Sequence, residues 1–267
     1  MRPRLKSTIV CLGIALAAAP AHAAVVASWS FSEGMGSTTA DGVGSVTGNL
    51  AGSAALVGGG ISGGAVSLSR TGNGLVSMGD NFNFTGTQTF TIQAWVKTSD
   101  TVGDIVVGRH VSGFQNGYFL ALNDVNDGGV IEPNGSFKFY QSDANALNSG
   151  AAGVNNNEWH QVVGVHDGVN NQIRIYLDGS RTPMSMSTDP LNPITGSAAP
   201  FGIGMVILAG MPTSAYTGLV DEVRIWDHAL SDEEVGFFFR NSGAIPEPMT
   251  GMLLLGSLAM AIRRRRA

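Results

Sequence analysis

The 267-residue chain is 43% hydrophobic but only 13% charged, about half the share usual in soluble domains, and it carries 37 Gly against 10 Pro. These values exclude a charged disordered chain, a coiled coil and, with no G-X-Y period, a collagen-like fibre. The formal charge of −5 hides an asymmetry: three basic residues fall in the first six positions and four at the extreme C-terminus, leaving eight against 20 acidic ones, a body of −12 that attracts divalent cations and argues against a nucleic-acid partner.

In chain order, the first segment reads as a secretory signal peptide over 1–23. A basic stretch, Met1 to Lys6, precedes an apolar run from Thr8 to Ala19 that is too short to span a bilayer. Pro20 ends the run, and Ala21-His22-Ala23 supplies a small-x-small cleavage pattern, so the mature chain is expected to begin at Ala24. Cys11, the single cysteine, lies inside this segment, and Thr8-Ile9-Val10 before it lacks the small residues of a lipobox. The mature chain therefore has no thiol, disulfide or Cys-based metal site, and must rely on its core or on a bound ion.

Period-2 alternation then dominates. Strands are expected at Val25 to Phe31, Gly74 to Met78, Gln88 to Lys97, Asp104 to Gly108, Tyr118 to Asn123 and Ser136 to Gln141. They continue at Trp159 to Asp167, Gln172 to Asp178, Phe201 to Leu208 and Gly218 to Trp226. In Gln88 to Lys97, Phe90, Ile92, Ala94 and Val96 share one face, while Asp178-Gly179 predicts a hairpin turn. Many short strands separated by Gly, Asn, Asp and Ser clusters predict an all-β sandwich or jelly roll. One helix is expected, opened by the capping box Ser231-Asp232-Glu233-Glu234.

The last segment, 244–267, holds Ile245-Pro246-Glu247-Pro248, the apolar stretch Met249 to Ile262, and Arg263, Arg264, Arg265 and Arg266. Fourteen residues of helix reach only about 21 Å, short of the ~30 Å hydrocarbon core. One reading is a weak tail anchor held inside by its arginines. The order of the three parts closely resembles the PEP-CTERM sorting tail of Gram-negative bacteria. That resemblance implies recognition by an exosortase, transient insertion into the inner membrane through 249–262, processing near Pro246-Glu247-Pro248, and delivery to the cell surface or an exopolysaccharide matrix.

A second resemblance is carried by Trp29-Ser30-Phe31-Ser32-Glu33-Gly34, Asp41-Gly42, Gly48-Asn49-Leu50, Gly63-Gly64-Ala65-Val66 and the Thr89 to Lys97 strand. It continues in Glu158-Trp159-His160-Gln161-Val162-Val163, Ile175-Tyr176-Leu177-Asp178-Gly179, Gly218 to Trp226 and Ala229-Leu230-Ser231. Together these look like the laminin-G-like domain of the concanavalin A-like lectin/glucanase superfamily, which implies a two-sheet antiparallel jelly roll over 24–243. The resemblance also implies a structural Ca²⁺ where the first and last strands meet, at positions matching Glu33, Asp41 and Asp221. Oxygen donors of that kind suit the ion. Asp221, placed by alternation on the face of Leu219, Val223 and Ile225, could instead be satisfied by Arg224, Arg70 or backbone amides.

No catalytic constellation is expected. Glycoside hydrolysis needs two carboxylates about 5 to 9.5 Å apart on one surface, whereas Asp221 and Glu222, adjacent on a strand, should face opposite ways. The E-x-D-x-x-E strand of hydrolases in this superfamily is absent, as is H-E-x-x-H, and Gly58-Gly59-Gly60 lacks the continuation of a phosphate loop. Sugar recognition would draw on Phe114, Tyr118, Tyr140 and Tyr216 for ring stacking, with Asn116, Asn155, Asn156 and Asn157 for hydroxyls. The alternative is that the tyrosines pack on sheet surfaces and the Asn run makes a turn. The leading expectation is a non-catalytic surface or matrix module that binds carbohydrate, such as exopolysaccharide. The alternatives are a structural or adhesive protein acting through protein contacts, and a glycan hydrolase or lyase.

Overall fold

The computed structural model describes residues 24–243 apart from 111–116, 123–133, 143–144, 151–152, 181, 189–190, 205, 209–210 and 214–215. The segment 1–23 expected to be a signal peptide, the tail from 244 onward, and Phe114 and Asn116 lie outside the described residues. Among the described residues no helix is long and apolar enough to cross a membrane, and the apolar stretch 249–262 is not among them.

The strands begin with β1 (Val25–Trp29), β2 (Thr38–Thr39), β3 (Gly48–Ala51), β4 (Ala55–Ser62), β5 (Gly64–Leu68) and β6 (Leu75–Ser77). Next come β7 (Phe90–Lys97), β8 (Asp104–His110), β9 (Gly117–Leu122), β10 (Phe137–Ser142), β11 (Asn145–Asn148) and β12 (Trp159–Asp167). The series closes with β13 (Gln172–Leu177), β14 (Ser185–Ser187), β15 (Gly202–Ile203), β16 (Val206–Leu208), β17 (Met211–Thr213) and β18 (Gly218–Trp226), followed by helix α1 (Asp232–Arg240). One sheet runs β14-β13-β12-β7-β18-β5-β4, with β1 paired to the second half of β18; the other runs β11-β10-β9-β8-β15-β6-β3-β2. This is the expected antiparallel jelly-roll sandwich.

Alternation explains the layers. Phe90, Ile92, Ala94 and Val96 of β7 meet Tyr118, Leu120, Leu122, Phe137 and Phe139 of the opposite sheet in the central core. Aromatic rings bind the two layers: Phe84 stacks on Phe90 at 4.4 Å, and Phe82 meets Phe201 edge-on at 5.1 Å. The other face of β7 is also buried, because α1 lies across it. Val163, Val165, Tyr176, Trp226, Val235 and Phe238 form a second core there, and Phe239 stacks on Trp95 at 5.3 Å. Ser231 caps α1 through both arms of the capping box.

Locally the structure adds to the expected elements and departs from them in places. The glycine-rich stretch over 55–62 is strand β4, held by backbone pairing to β5, which needs no side-chain pattern. The single run expected over Phe201 to Leu208 divides into β15 and β16 around Gly204, whose φ of 92° breaks the extended course. Asp178 and Gly179 make the expected turn with positive φ, and β13 and β14 pair antiparallel beyond it, across a connection of seven residues. Finally, β18 contains a bulge between Asp221 and Arg224, with Glu222 at φ 45°. Val220 and Val223 both enter the central core, so the two acids between them lie off that face and Asp221 does not share a face with Val223 and Ile225.

Candidate functional site

The tyrosines expected to stack on sugar are interior. Tyr118 is 1% exposed and donates its hydroxyl to the Phe82 carbonyl at 2.8 Å, and burial raises its pKa well above the ordinary tyrosine value. Tyr140 is 5% exposed, stacked on Phe119 at 4.6 Å, and Tyr216 is 0% exposed within the central core. None presents a ring face: Tyr118 and Tyr140 fall on buried strand positions, and Tyr216, in the connection before β18, turns into the central core. Asn156 shapes the turn before β12, accepting from the Glu158 amide at 2.8 Å and meeting His160 Nε2 at 3.1 Å. Asn155 donates to the Asp100 carbonyl at 3.2 Å and to Asn134 at 2.8 Å. The Asn run is therefore a turn, as the alternative reading has it.

The three carboxylates implied for calcium occupy different surroundings. Asp41 Oδ1 accepts from the amides of Ser28, Val43 and Gly44 at 2.9–3.0 Å, so this side chain stands beside β1 where another strand would be. Glu33 accepts from Thr39 Oγ1 at 2.9 Å and the Ala40 amide at 2.7 Å. Asp221 is 0% exposed and accepts from the amides of Ser62 at 3.2 Å and Glu222 at 2.6 Å. Burial, with the Glu222 carboxylate alongside, pushes its pKa up to about 7. A Cβ on Gly60 would meet both Asp221 Oδ2 and the Gly64 carbonyl, so glycine leaves a cradle where these oxygens converge. Among the described residues no three His, Cys, Asp or Glu gather as a metal set. An ion at Asp221 would therefore take further oxygens from backbone carbonyls, which Ca²⁺ accepts.

Asp221 and Glu222 do not form a hydrolytic pair. The bulge removes the expected opposition of faces, but Glu222 is 3% exposed and its carboxylate is held by Arg224, which also binds the Ser242 carbonyl. His166 is buried and bonded to the Gln88 carbonyl at 2.7 Å, and burial lowers its pKa, so it is a neutral packing residue.

A different place has the character of a binding site. At one end of the first sheet, where β5 and β7 finish and β18 starts, an open cavity of about 560 Å³ is lined by hydroxyls, including those of Ser69, Thr98 and Thr217, and by Arg70, Lys97 and Asp100. Its wall is rigidly built. Thr98 Oγ1 donates to the Thr217 carbonyl at 2.6 Å, the Arg70 amide donates to Thr217 Oγ1 at 3.1 Å, and the Arg70 guanidinium pairs with Asp100 at 2.6 Å. Cross-strand register puts Ser67, Leu219, Lys97 and Trp159 in one row, turned away from the central core, in which the adjacent Val66, Val220 and Val96 lie. Trp29, Trp95 and Trp226 are buried, whereas Trp159 is partly exposed at the end of this row. The helix stops one row short, where Phe239 covers Trp95. In the sequence Trp159 stands only within a segment that carries the family resemblance; the pairing register shows it beside Lys97.

Residues 70–236 match the family model of the concanavalin A-like lectin/glucanases superfamily. The chain belongs to that family. Its fold is shared, at TM-score 0.58 and 18% identity, with domain 4 of an extracellular GH43 arabinanase from Geobacillus stearothermophilus in complex with arabinotriose, over 80% of this chain and 98% of that one. The receptor binding domain of a botulinum neurotoxin C/D mosaic serotype is similar at TM-score 0.57 and 13% identity, over 81% of this chain and 51% of that one. A botulinum neurotoxin type C structure, described as depending for cell entry on two ganglioside molecules, is similar at TM-score 0.53 and 15% identity, over 81% of this chain and 51% of the other. The chain thus spans about half the length of these toxin chains. A search of curated proteins returned no match.

Proposed function

We propose that this superfamily member is an exported, non-catalytic module that binds carbohydrate, with exopolysaccharide of its own surface or matrix as the ligand. The observation that carries the reading is the open, hydroxyl-lined cavity with the partly exposed Trp159 at its flank. A pyranose or furanose ring offers an apolar face for an indole and hydroxyls for Ser, Thr and Asn; Ser69, Thr98, Thr217 and Asn157 line the cavity, and Trp159 stands across the strand pair from its Lys97. The similar fold of an arabinanase domain solved with arabinotriose, and of toxin binding domains, supports the reading. Export belongs to the same proposal. A signal peptide cleaved between Ala23 and Ala24 and a PEP-CTERM tail engaging an exosortase would deliver the domain through the inner membrane to the surface. Ca²⁺ at Asp221 would be structural, neutralising a buried carboxylate instead of acting on ligand.

The test is binding of the full chain to a polysaccharide panel that includes the host's own matrix. Saturable binding to one glycan class is expected, weakened about tenfold, or about 1.4 kcal/mol, by Trp159→Ala. Absence of binding by folded protein to every glycan would overturn the proposal. The second reading, contact with proteins, draws on Met184 and Met186 at the edge strand β14, 47% and 53% exposed. It predicts partner capture that free sugars do not compete away.

A further inference from the structure

The charges in this cavity narrow the ligand class. Among the described basic side chains, Arg109, Arg174 and Arg224 are each tied to a carboxylate elsewhere in the fold, and Arg70 is held by Asp100 in the cavity wall. Lys97 also lines the cavity, yet it has no hydrogen-bond or ion-pair partner among the described residues. Its neighbours in the cross-strand row are Leu219 on one side and Trp159 on the other, both partly exposed, so the lysine is flanked by two apolar side chains at an open cavity. A cation with no pairing partner is open to an anion of the ligand, and the charge-assisted hydrogen bond that forms is stronger than one between neutral groups. Two cations against the single carboxylate of Asp100 leave the lining at one net positive charge, on a body that is otherwise acidic.

We infer that the cavity takes a sugar bearing one carboxylate, a uronic acid residue of an acidic glycan, with that carboxylate on Lys97, the ring against Trp159 and the hydroxyls on the Ser and Thr wall. This rests on the carbohydrate reading above. A single positive site within an acidic body selects an isolated uronate in preference to a densely charged polyanion, whose repulsion from the surrounding carboxylates reaches about 8 Å at physiological salt.

The probes are trisaccharides of galacturonate, mannuronate and glucuronate, each beside its carboxyl-reduced neutral counterpart, titrated into the full chain at physiological ionic strength. At least one uronate is expected to bind about tenfold tighter than its neutral partner. Lys97→Gln should abolish that preference and Lys97→Arg should keep most of it, while Trp159→Ala weakens both members of the pair. Unfolding midpoints equal to that of the native chain establish that each variant is folded, and the arginine form keeps the test alive if the glutamine form is not. Equal binding of acid and neutral partners, or a preference that survives Lys97→Gln, overturns the uronate assignment and leaves the carbohydrate reading standing. No binding of any sugar, acidic or neutral, overturns both.

Discussion

At the scale of single residues, Asp221 is the most sensitive electrostatic position. Its carboxyl, ordinarily near 3.8, is pushed up to about 7 by burial and by Glu222, whose own pKa is raised in the same direction by burial. A raised acid is more stable in the fold when protonated. Its contribution is therefore fully present below about pH 4, declines as pH rises toward 7, and is constant above. Urea midpoints measured from pH 4 to 8 should show this slope in the native chain and lose it in Asp221→Asn. Equal slopes in the two proteins would mean that Asp221 is not the titrating group. The role of Asp221 was only half legible beforehand. Burial of an acid on an otherwise apolar strand could be read from alternation, but the bulge that moves it off the face of Val223 needs a positive φ at Glu222, which nothing in the local sequence announces. Trp159 was hidden for a related reason: one strand's sequence says which residues alternate, and not which residue of the next strand stands opposite.

At the scale of elements, α1 is held by a cap whose worth can be measured. Ser231 accepts from the Glu234 amide at 3.3 Å, and Glu234 returns to the Ser231 amide at 2.8 Å. Ser231→Ala should cost about 1 kcal/mol and lower the unfolding midpoint by ~2–4 °C. Gly164 gives a harsher case. It sits within β12, and a Cβ there would lie 2.5 Å from the Phe139 ring. Gly164→Ala should destabilise by about 1–3 kcal/mol through overpacking between the sheets, read by calorimetry. The long alternating strands, β7, β12 and β18, and the capped helix were visible in sequence because side-chain pattern determines them. Short partners such as β2, β11 and β14 were not, since two to four residues paired mainly through backbone leave no periodic signature.

At the scale of the whole molecule, residues 24–243 contain no cysteine, which leaves the central core between the sheets and the smaller clusters on their outer faces, and on the proposal above one ion, to hold the sandwich together. If Ca²⁺ occupies the cradle at Asp221, millimolar calcium should raise the unfolding midpoint most strongly above pH 7, where the carboxylate is ionised, and chelation should reverse the change. Asp221→Asn should remove the response. A midpoint indifferent to calcium at every pH would retire the ion from the account.

The strand margins bear on how such molecules behave when crowded. Sheets polymerise through unpaired margins that can template another chain. Here β2 offers two residues, β14 three and β11 four, while β4 is kinked by a register shift between Gly58 and Ser62. The free side of β1 is occupied at Ser28 by the Asp41 carboxylate and the Gly42 amide, at 3.0 and 2.8 Å. A long flat margin is thus missing from the described sheets. Packed at high density, copies of this domain offer little free backbone for strand addition, so side-chain patches are the surfaces left for assembly.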